Sequence, residues 1–191
     1  MAVNKKLAIF DLDHTILKCN SDHSWLDYLM NKQFIKKEEY FDQNAEFQRR
    51  FKKGDVNYKD YYEFTIQYLK GKSDDYISNI RSDFMAEVIE PSINIYALRL
   101  IHKHYEKGEE LLLASGTTSI IADSIAKRLE FKNVVCTKCE QKNNTFTGRI
   151  ENPPSLGEGK LKNVQAWMKK NGFSDFKDTT CLLYTSPSPR D

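Results

Sequence analysis

The chain has 191 residues, and its 29 Lys and Arg against 27 Asp and Glu leave a formal net charge of +2. With 40% hydrophobic and 12% aromatic residues, the composition excludes collagen-like, disulfide-miniprotein and disordered classes and predicts a soluble globular domain with room for an inserted lobe. Basic residues are spread along the chain, so no nucleic-acid partner is expected. No apolar run approaches the roughly 20 residues that span a bilayer, and residues 1–6 carry no signal-peptide pattern. We therefore expect no membrane partner and a cytoplasmic location, while the composition leaves the oligomeric state open.

The first half of the chain is predicted to be one strand followed by a helical block. Leu7–Phe10 is a short apolar run directly before acidic residues, which is typical of a buried parallel strand. Between residues 18 and 90 the aromatic and aliphatic side chains recur at helical spacing, and no strand pattern occurs. Pro91 is predicted to end this helical block.

From Ser92 onward, helical and strand patterns alternate. The predicted helices are residues 95–105, 119–129 and 161–170, and the predicted strands are residues 110–114, 133–137, 145–150 and a segment that begins at 179. Parallel strands joined by helical crossovers give an α/β fold, here a Rossmann-like core of three layers with a parallel sheet. We predict that residues 1–17 and 91–180 form this core and that residues 18–90 are a helical insertion after the first strand.

The last eleven residues, 181–191, differ in character from the rest of the chain. They hold two of the five prolines, and one back-translation of them resembles the mosaic-end adapter of transposase-based sequencing libraries. The sequence therefore predicts an adapter-derived tail and a native chain truncated at its C-terminus after Thr180. A native terminus rich in Pro and Ser is the alternative.

Polar residues follow two of the predicted strands, where ligands bind in open parallel sheets. Asp11 and Asp13 come directly after the first strand, and Ser115 follows the strand of residues 110–114. Two carboxylates spaced in this way point into one crevice, where one can attack a substrate and the other can transfer a proton or help hold a hard cation. Ser115 could instead cap the next helix, and Lys160, at a helix start, could be an ordinary solvated lysine.

These residues resemble the motifs of the haloacid dehalogenase-like (HAD) phosphohydrolase superfamily. The resemblance rests on Asp11-x-Asp13-x-Thr15, on Ser115 after an apolar strand, and on Lys160 within Gly157-Glu158-Gly159-Lys160. Residues 145–160 resemble the phosphoserine phosphatase-like branch, subfamily IB, and the resemblance covers nearly all of residues 6–180. It implies that the helical insertion is a C1-type cap, which closes over the site and selects the leaving group.

The resemblance implies a phosphatase that uses Mg²⁺ and an aspartyl-phosphate intermediate on a small phosphorylated metabolite, with phosphoserine as one candidate. Asp11 would be the nucleophile and a metal ligand. Asp13 would be the general acid and base and would give the metal its backbone carbonyl. The phosphate-binding and catalytic groups would be Leu12 through its amide, Thr15, Ser115, Gly116 and Lys160. Phosphotransfer to another acceptor and non-catalytic binding of a phosphorylated ligand remain the alternatives.

The role of several further residues stays open at this stage. Thr15 could hydrogen-bond its own loop rather than substrate. Arg49, Arg50 and Arg81 could hold a substrate carboxylate or lie on a solvated face, and Asp22 and His23 stand where the chain enters the insertion.

The sequence departs from the family at the fourth motif, where an acid should follow the last strand and complete the metal site. Thr185-Ser186-Pro187 stands there instead, while Asp178 precedes the strand and Asp191 is remote. Loss of a carboxylate weakens a site for a hard cation, so the sequence predicts impaired Mg²⁺ binding. Residues from about 179 to 185 are still apolar enough to pair beside the first strand.

Overall fold

A computed structural model describes residues 6–53, 57–151, 153–177 and 179–182. Its strands are β1 Leu7–Phe10, β2 Glu110–Thr118, β3 Asn133–Thr137, β4 Cys139–Lys142, β5 Thr145–Ile150 and β6 Thr179–Leu182. Its helices are α1 Ser21–Asn31, α2 Lys37–Lys52, α3 Tyr58–Ile66, α4 Asp74–Phe84, α5 Glu90–Ser92, α6 Ile95–Glu106, α7 Ser119–Arg128 and α8 Glu158–Lys170.

Four parallel strands form the central sheet, in the order β3-β2-β1-β6. Leu7 is in register with Glu110 on one neighbouring strand and with Thr179 on the other. The alternation of side chains along each strand then divides the core into two halves. Ala8 and Phe10 pack on the side of α6 and α7, whereas the strand residues on the other face pack on Val164 and Met168 of α8. The result is the three-layer α/β core expected from the sequence.

The helical segment between β1 and α6 begins and ends at the same place. The Lys18 N–H donates to the Ser92 carbonyl at 2.9 Å, and the Asn94 N–H donates to the Ile16 carbonyl at 2.8 Å. Three helices of this segment, α1, α3 and α4, and the helix α6 that follows it each begin after a side chain that accepts a backbone N–H of the first turn. These capping residues are Asn20, Asn57, Ser73 and Asn94. The segment therefore leaves the sheet and returns to it through two adjacent chain crossings.

The β4–β5 hairpin packs against this helical segment. Phe146 is buried, its N–H donates to the Lys72 carbonyl, and its own carbonyl accepts the Gly71 N–H, both at 2.9 Å. The hairpin thus connects the sheet side of the molecule with α3 and the 3-10 turn Gln67–Leu69.

Most predicted elements are found, with three differences. The helical block ends at Ser92, one residue after the predicted Pro91, because Pro91 lies in the first turn of the short helix α5, a position that proline tolerates. Helix α8 begins at Glu158 rather than at residue 161, and β2 continues to Thr118 with an irregularity after Ala114. The predicted pairing of the last strand beside β1 is confirmed for Thr179–Leu182, whereas residues 183–191 and Asp178 lie outside the described residues. Within the described ranges, no helix is long and apolar enough to cross a membrane.

Candidate functional site

A cavity of about 310 Å³ lies at the carboxyl ends of β1 and β2. The sheet and the N-terminus of α8 form one side of it, and α1 and α3 form the other. Its lining residues are Asp11, Asp13, Asn20, Asp22, His23, Leu26, Tyr61, Tyr62, Thr65, Ser115, Gly116, Thr117, Leu156 and Lys160. Because β1 and β2 are parallel neighbours, their carboxyl ends bring the first and second motifs together at this edge.

The chain leaves β1 through a turn, Leu12–Ile16, whose backbone is not helical, because Asp13 is extended. The turn closes with the Leu17 N–H donating to the Leu12 carbonyl at 2.9 Å, and His14 adopts a positive φ of 56°. The Asp11 N–H donates to the Leu182 carbonyl at 3.0 Å, which ties the start of the turn to β6. These contacts fix the direction in which Asp11 and Asp13 enter the cavity.

Lys160 and Asp11 form an ion pair inside this cavity. The Lys160 Nζ lies 2.9 Å from Asp11 Oδ1, and the same oxygen accepts the Leu12 N–H at 2.8 Å. Lys160 is held by the tight start of α8, where a Cβ on Gly159 would lie 2.1 Å from the Pro154 carbonyl oxygen. Only glycine fits at this approach, so the helix start delivers the ammonium group to Asp11.

Both carboxylate oxygens of Asp13 accept hydrogen bonds. Oδ1 accepts from the Ser21 N–H at 2.9 Å and from the Ser21 hydroxyl at 2.7 Å, and Oδ2 accepts from the Thr117 hydroxyl at 3.3 Å. Burial raises the pKa of Asp13 above its ordinary value, and the charge of Asp11 adds to this rise. The Ser21 and Thr117 donors act in the opposite direction by stabilising the ionised form.

Ser115 lies in the irregular part of β2 rather than at a helix start, so the capping alternative is wrong. Its hydroxyl accepts the Thr117 N–H at 3.1 Å and donates to the Thr117 hydroxyl at 2.9 Å. The Thr117 hydroxyl is also 2.9 Å from the Ser21 hydroxyl. A buried hydroxyl network therefore links Ser115, Thr117 and Ser21 to the carboxylate of Asp13.

The backbone at Gly116 is held by side chains from both sides. Its carbonyl accepts the Tyr62 hydroxyl at 2.8 Å and the Thr137 hydroxyl at 2.7 Å. A Cβ at this position would come within 3.1 Å of the Tyr62 hydroxyl and 3.4 Å of Leu156 Cδ1. Glycine thus gives Tyr62 of α3 close access to the loop after Ser115.

Asp22 of α1 binds the next residue of the same loop. Its carboxylate accepts the Thr118 hydroxyl at 2.9 Å and the Thr118 N–H at 3.2 Å. Burial raises the pKa of Asp22 to about 7, and the like charge of Asp13 contributes to the rise. The helical segment therefore contacts three consecutive residues of this loop. Tyr62 binds Gly116, Ser21 binds Thr117, and Asp22 binds Thr118.

The structure brings together most, but not all, of the residues singled out in the sequence. Asp11, Asp13, Ser115, Gly116 and Lys160 line the cavity, and so do Asp22 and His23. The Leu12 side chain is fully buried and its amide is occupied by Asp11. Thr15 does not line the cavity, and its buried hydroxyl has no hydrogen-bond partner among the described residues.

The candidate arginines of the helical segment lie elsewhere. Arg81 forms a two-point ion pair with Asp74, and Arg49 pairs with Glu46 on the surface. Arg50 lies over the ring of Phe47. None of these arginines lines the cavity.

Magnesium can be tested against the donors that are present. Asp11 offers its Oδ2 as a hard carboxylate ligand, because within the described part of the chain only its Oδ1 is bound by donors. The Asp13 carboxylate is already occupied, which leaves its backbone carbonyl as the candidate ligand. No group of three or more His, Cys, Asp or Glu side chains is placed for a metal ion within those same residues. This donor set fits Mg²⁺, which commonly binds through one or two carboxylates together with water and substrate phosphate.

Residues 8–185 match the family described as haloacid dehalogenase-like hydrolase. A histidinol-phosphatase from Neisseria meningitidis serogroup C (strain 8013) is 31% identical over 197 aligned positions, which cover 97% of this chain and 89% of the relative. A solved structure of a Bordetella pertussis Tohama I protein of unknown function is 29% identical, with a TM-score of 0.82 and coverage of 93% of this chain and 79% of the other.

A phosphoserine phosphatase solved as a phospho-aspartyl intermediate analogue has a TM-score of 0.61 and 18% identity. The alignment covers 94% of this chain and 78% of that one. At this identity the likeness shows a shared fold.

Proposed function

Because this chain belongs to the haloacid dehalogenase-like hydrolase family and is a phosphatase-type hydrolase, we propose that it cleaves phosphate monoesters of small metabolites by way of a phosphoryl group carried on Asp11. The observation that supports this most directly is the 2.9 Å contact between Lys160 Nζ and Asp11 Oδ1 in a cavity that Asp13 also lines. A carboxylate nucleophile, a cation and a second carboxyl group are the elements that this chemistry requires.

Asp11 attacks phosphorus in the first step. A bond forms between its carboxylate oxygen and phosphorus as the bond to the leaving alcohol oxygen breaks. The carboxylate and the phosphate are both negative, so the positive charge of Lys160 is needed to bring them together. Ser115 then donates its hydroxyl to a phosphoryl oxygen, in place of its present bond to Thr117.

Asp13 transfers the protons. In its acid form it protonates the departing alkoxide. In its ionised form it removes a proton from the water that attacks phosphorus, while the bond between phosphorus and the Asp11 oxygen breaks and inorganic phosphate is released. The raised pKa favours the acid form that the first half of this cycle needs. The donors from Ser21 and Thr117 hold the carboxyl group in one orientation for both steps.

Asp11 and the backbone carbonyl of Asp13 would hold Mg²⁺, and the bound ion would supply positive charge that neutralises the phosphate. The segment 179–185 contains no Asp or Glu. We therefore expect weak metal binding and a requirement for high Mg²⁺ concentrations.

The helical segment of residues 18–90 is proposed to act as the cap over the core of residues 1–17 and 91–180. Its side chains Asn20, Asp22, Leu26, Tyr61 and Tyr62 form the wall that faces the leaving group. Histidinol phosphate and phosphoserine are substrates to include in assays, because one relative is a histidinol-phosphatase and the fold is shared with a phosphoserine phosphatase. The cytoplasmic location remains a prediction.

The proposal is tested by hydrolysis of p-nitrophenyl phosphate over a Mg²⁺ titration. We expect turnover that rises with Mg²⁺, falls on chelation, and drops by about 10³-fold or more in Asp11→Asn, which keeps the shape of the side chain without its nucleophilic charge. Asp123→Asn is the matched control, because Asp123 is exposed, pairs with Lys138 and does not line the cavity. Full activity in Asp11→Asn would reject the proposal.

Product analysis separates the alternatives. Phosphate as the only phosphorylated product supports hydrolysis, whereas phosphorylated alcohols formed on addition of an alcohol would indicate phosphotransfer. Binding of inorganic phosphate without any turnover would favour a protein that binds a phosphorylated ligand without catalysis.

A further inference from the structure

The cavity contains one carboxylate that the proposed chemistry does not use. Asp22 lines the cavity from α1, and its hydrogen bonds in the structure come from Thr118. Within the described residues it has no Lys or Arg partner, whereas Asp11 is paired with Lys160. Ionising a carboxylate in a partly closed cavity costs free energy when no cation lies beside it, and a positively charged ligand can compensate this cost. The raised pKa of Asp22 has this same origin in burial and in the neighbouring charge of Asp13.

A substrate that carries a carboxylate would instead need a cation on the side of the cavity formed by the helical segment. The described residues on that side do not include a lysine or an arginine. None of the arginines that the structure describes lines the cavity, and Lys160 belongs to the phosphate side through its contact with Asp11. Arg81 is already paired with Asp74 at 2.9 Å. His23 also lines the cavity and is the side chain that could bind an anion there if protonated. Among the described side chains of the helical segment that line the cavity, Asp22 is therefore the carboxylate, and in its ionised form it favours a positively charged ligand over a negatively charged one.

We propose that Asp22 is a specificity residue that selects phosphate esters whose leaving group carries an ammonium or other cationic nitrogen and no carboxylate. This inference rests on the proposed phosphatase function and names its substrate class. An ammonium group beside Asp22 forms a charge-assisted hydrogen bond and stabilises the ionised carboxylate. Leu26 and Tyr61 on the same wall provide apolar contacts for the carbon chain between the nitrogen and the phosphate.

The test compares phosphate esters of equal length. 3-Aminopropyl phosphate, n-butyl phosphate and 3-phosphonooxypropanoate present a cation, a methyl group and an anion at the same position. For the unaltered protein we expect kcat/KM to be at least about 10-fold higher for the amine than for the neutral ester, which is the gain expected from one charged hydrogen bond. We expect kcat/KM to be lowest for the carboxylate. A preference for the carboxylate, or equal rates for the amine and the neutral ester, would overturn the inference.

The Asp22→Asn variant isolates the charge. Asparagine keeps an oxygen for the Thr118 hydroxyl, so this contact with the loop is preserved while the attraction to a cation is lost. We expect the ratio of amine to neutral ester to fall toward one in Asp22→Asn and to stay high in Asp27→Asn, which removes an exposed charge from the same helix outside this cavity. An unchanged ratio in Asp22→Asn contradicts the proposal.

Two further measurements keep the outcomes separate. If Asp22→Asn does not fold, competitive inhibition of the unaltered protein by 3-aminopropylphosphonate and n-butylphosphonate gives the same comparison. We expect the amine to bind about 10-fold more tightly than the neutral phosphonate. Equal binding of the two would count against the proposal. If no ester, including p-nitrophenyl phosphate, is hydrolysed, the proposed function itself fails. Hydrolysis of every ester without preference for the amine rejects the specificity of Asp22 alone.

Discussion

The Nζ atom of Lys160 lies 2.9 Å from Oδ1 of Asp11, although the two residues come from different layers of the fold. The helix start places the cation at the strand end that carries the nucleophile. We predict that Lys160→Met lowers kcat/KM for p-nitrophenyl phosphate by about 10²- to 10³-fold, because the phosphate then meets a carboxylate without that neutralising charge. Lys160→Arg should recover part of this loss.

Lys162→Met is the control for the lysine substitution. Lys162 lies on the same helix, is exposed and pairs with Glu158. Steady-state kinetics should show no more than a small change for this variant. A loss equal to that of Lys160→Met would mean that the positive charge of α8 as a whole, and not the contact with Asp11, is responsible.

The Thr117 hydroxyl connects Ser115 with Asp13, and we predict that it positions both. Thr117→Val keeps the shape of the side chain but removes the donor to Asp13 and the acceptor for Ser115. The expected result is a decrease in kcat of about 10- to 100-fold with a smaller change in KM. Thr117→Ser restores the hydroxyl and should recover most of the activity. Equal losses in both variants would indicate a packing role instead.

Gly159 allows α8 to approach Pro154, and this approach sets the position of Lys160. A Cβ at residue 159 would lie 2.1 Å from the Pro154 carbonyl oxygen, so the helix start must shift in Gly159→Ala. We expect a loss of about 1–3 kcal/mol in the free energy of unfolding together with reduced turnover. Thermal unfolding and kinetics should be compared with Glu158→Ala, an exposed substitution in the same turn that is predicted to be nearly neutral.

Asp22 should make stability depend on pH. Its pKa is raised from 3.8 to about 7, so the folded chain binds this proton more tightly than the unfolded chain. Between about pH 4 and pH 7 the free energy of unfolding therefore falls as pH rises, and the destabilisation is fully present above pH 7. Asp22→Asn removes this contribution, so its Tm should decrease less than that of the unaltered protein between pH 5 and pH 8, in the absence of metal and substrate. Identical Tm changes in the two proteins would contradict this prediction.

The sequence predicts the sheet and the placement of Asp11 and Ser115 for one physical reason. Both residues follow short apolar runs that are typical of buried strands, and the carboxyl ends of adjacent parallel strands lie at one edge. The position of Lys160 could be expected only through the family resemblance, because a lysine at a helix start has no pattern of its own.

The contacts of the helical segment with the loop after Ser115 could not be predicted in this way. Ser21 and Thr117 are 96 residues apart, and Tyr62 and Gly116 are 54 apart. Their pairing depends on how the segment folds back over the sheet, which no local periodicity specifies. The sequence also left the role of Arg81 open between binding a substrate carboxylate and lying on a solvated face, whereas the structure pairs it with Asp74.

The central claim, that Asp11 carries the phosphoryl group, is tested most directly by trapping it. The protein is quenched in acid during turnover of p-nitrophenyl phosphate with Mg²⁺, digested, and analysed by mass spectrometry. We predict a phosphoryl group on the peptide that contains Asp11 and its absence from Asp11→Asn treated in the same way. Turnover without any enzyme-bound phosphoryl group, or a phosphoryl group on a different residue, would contradict it.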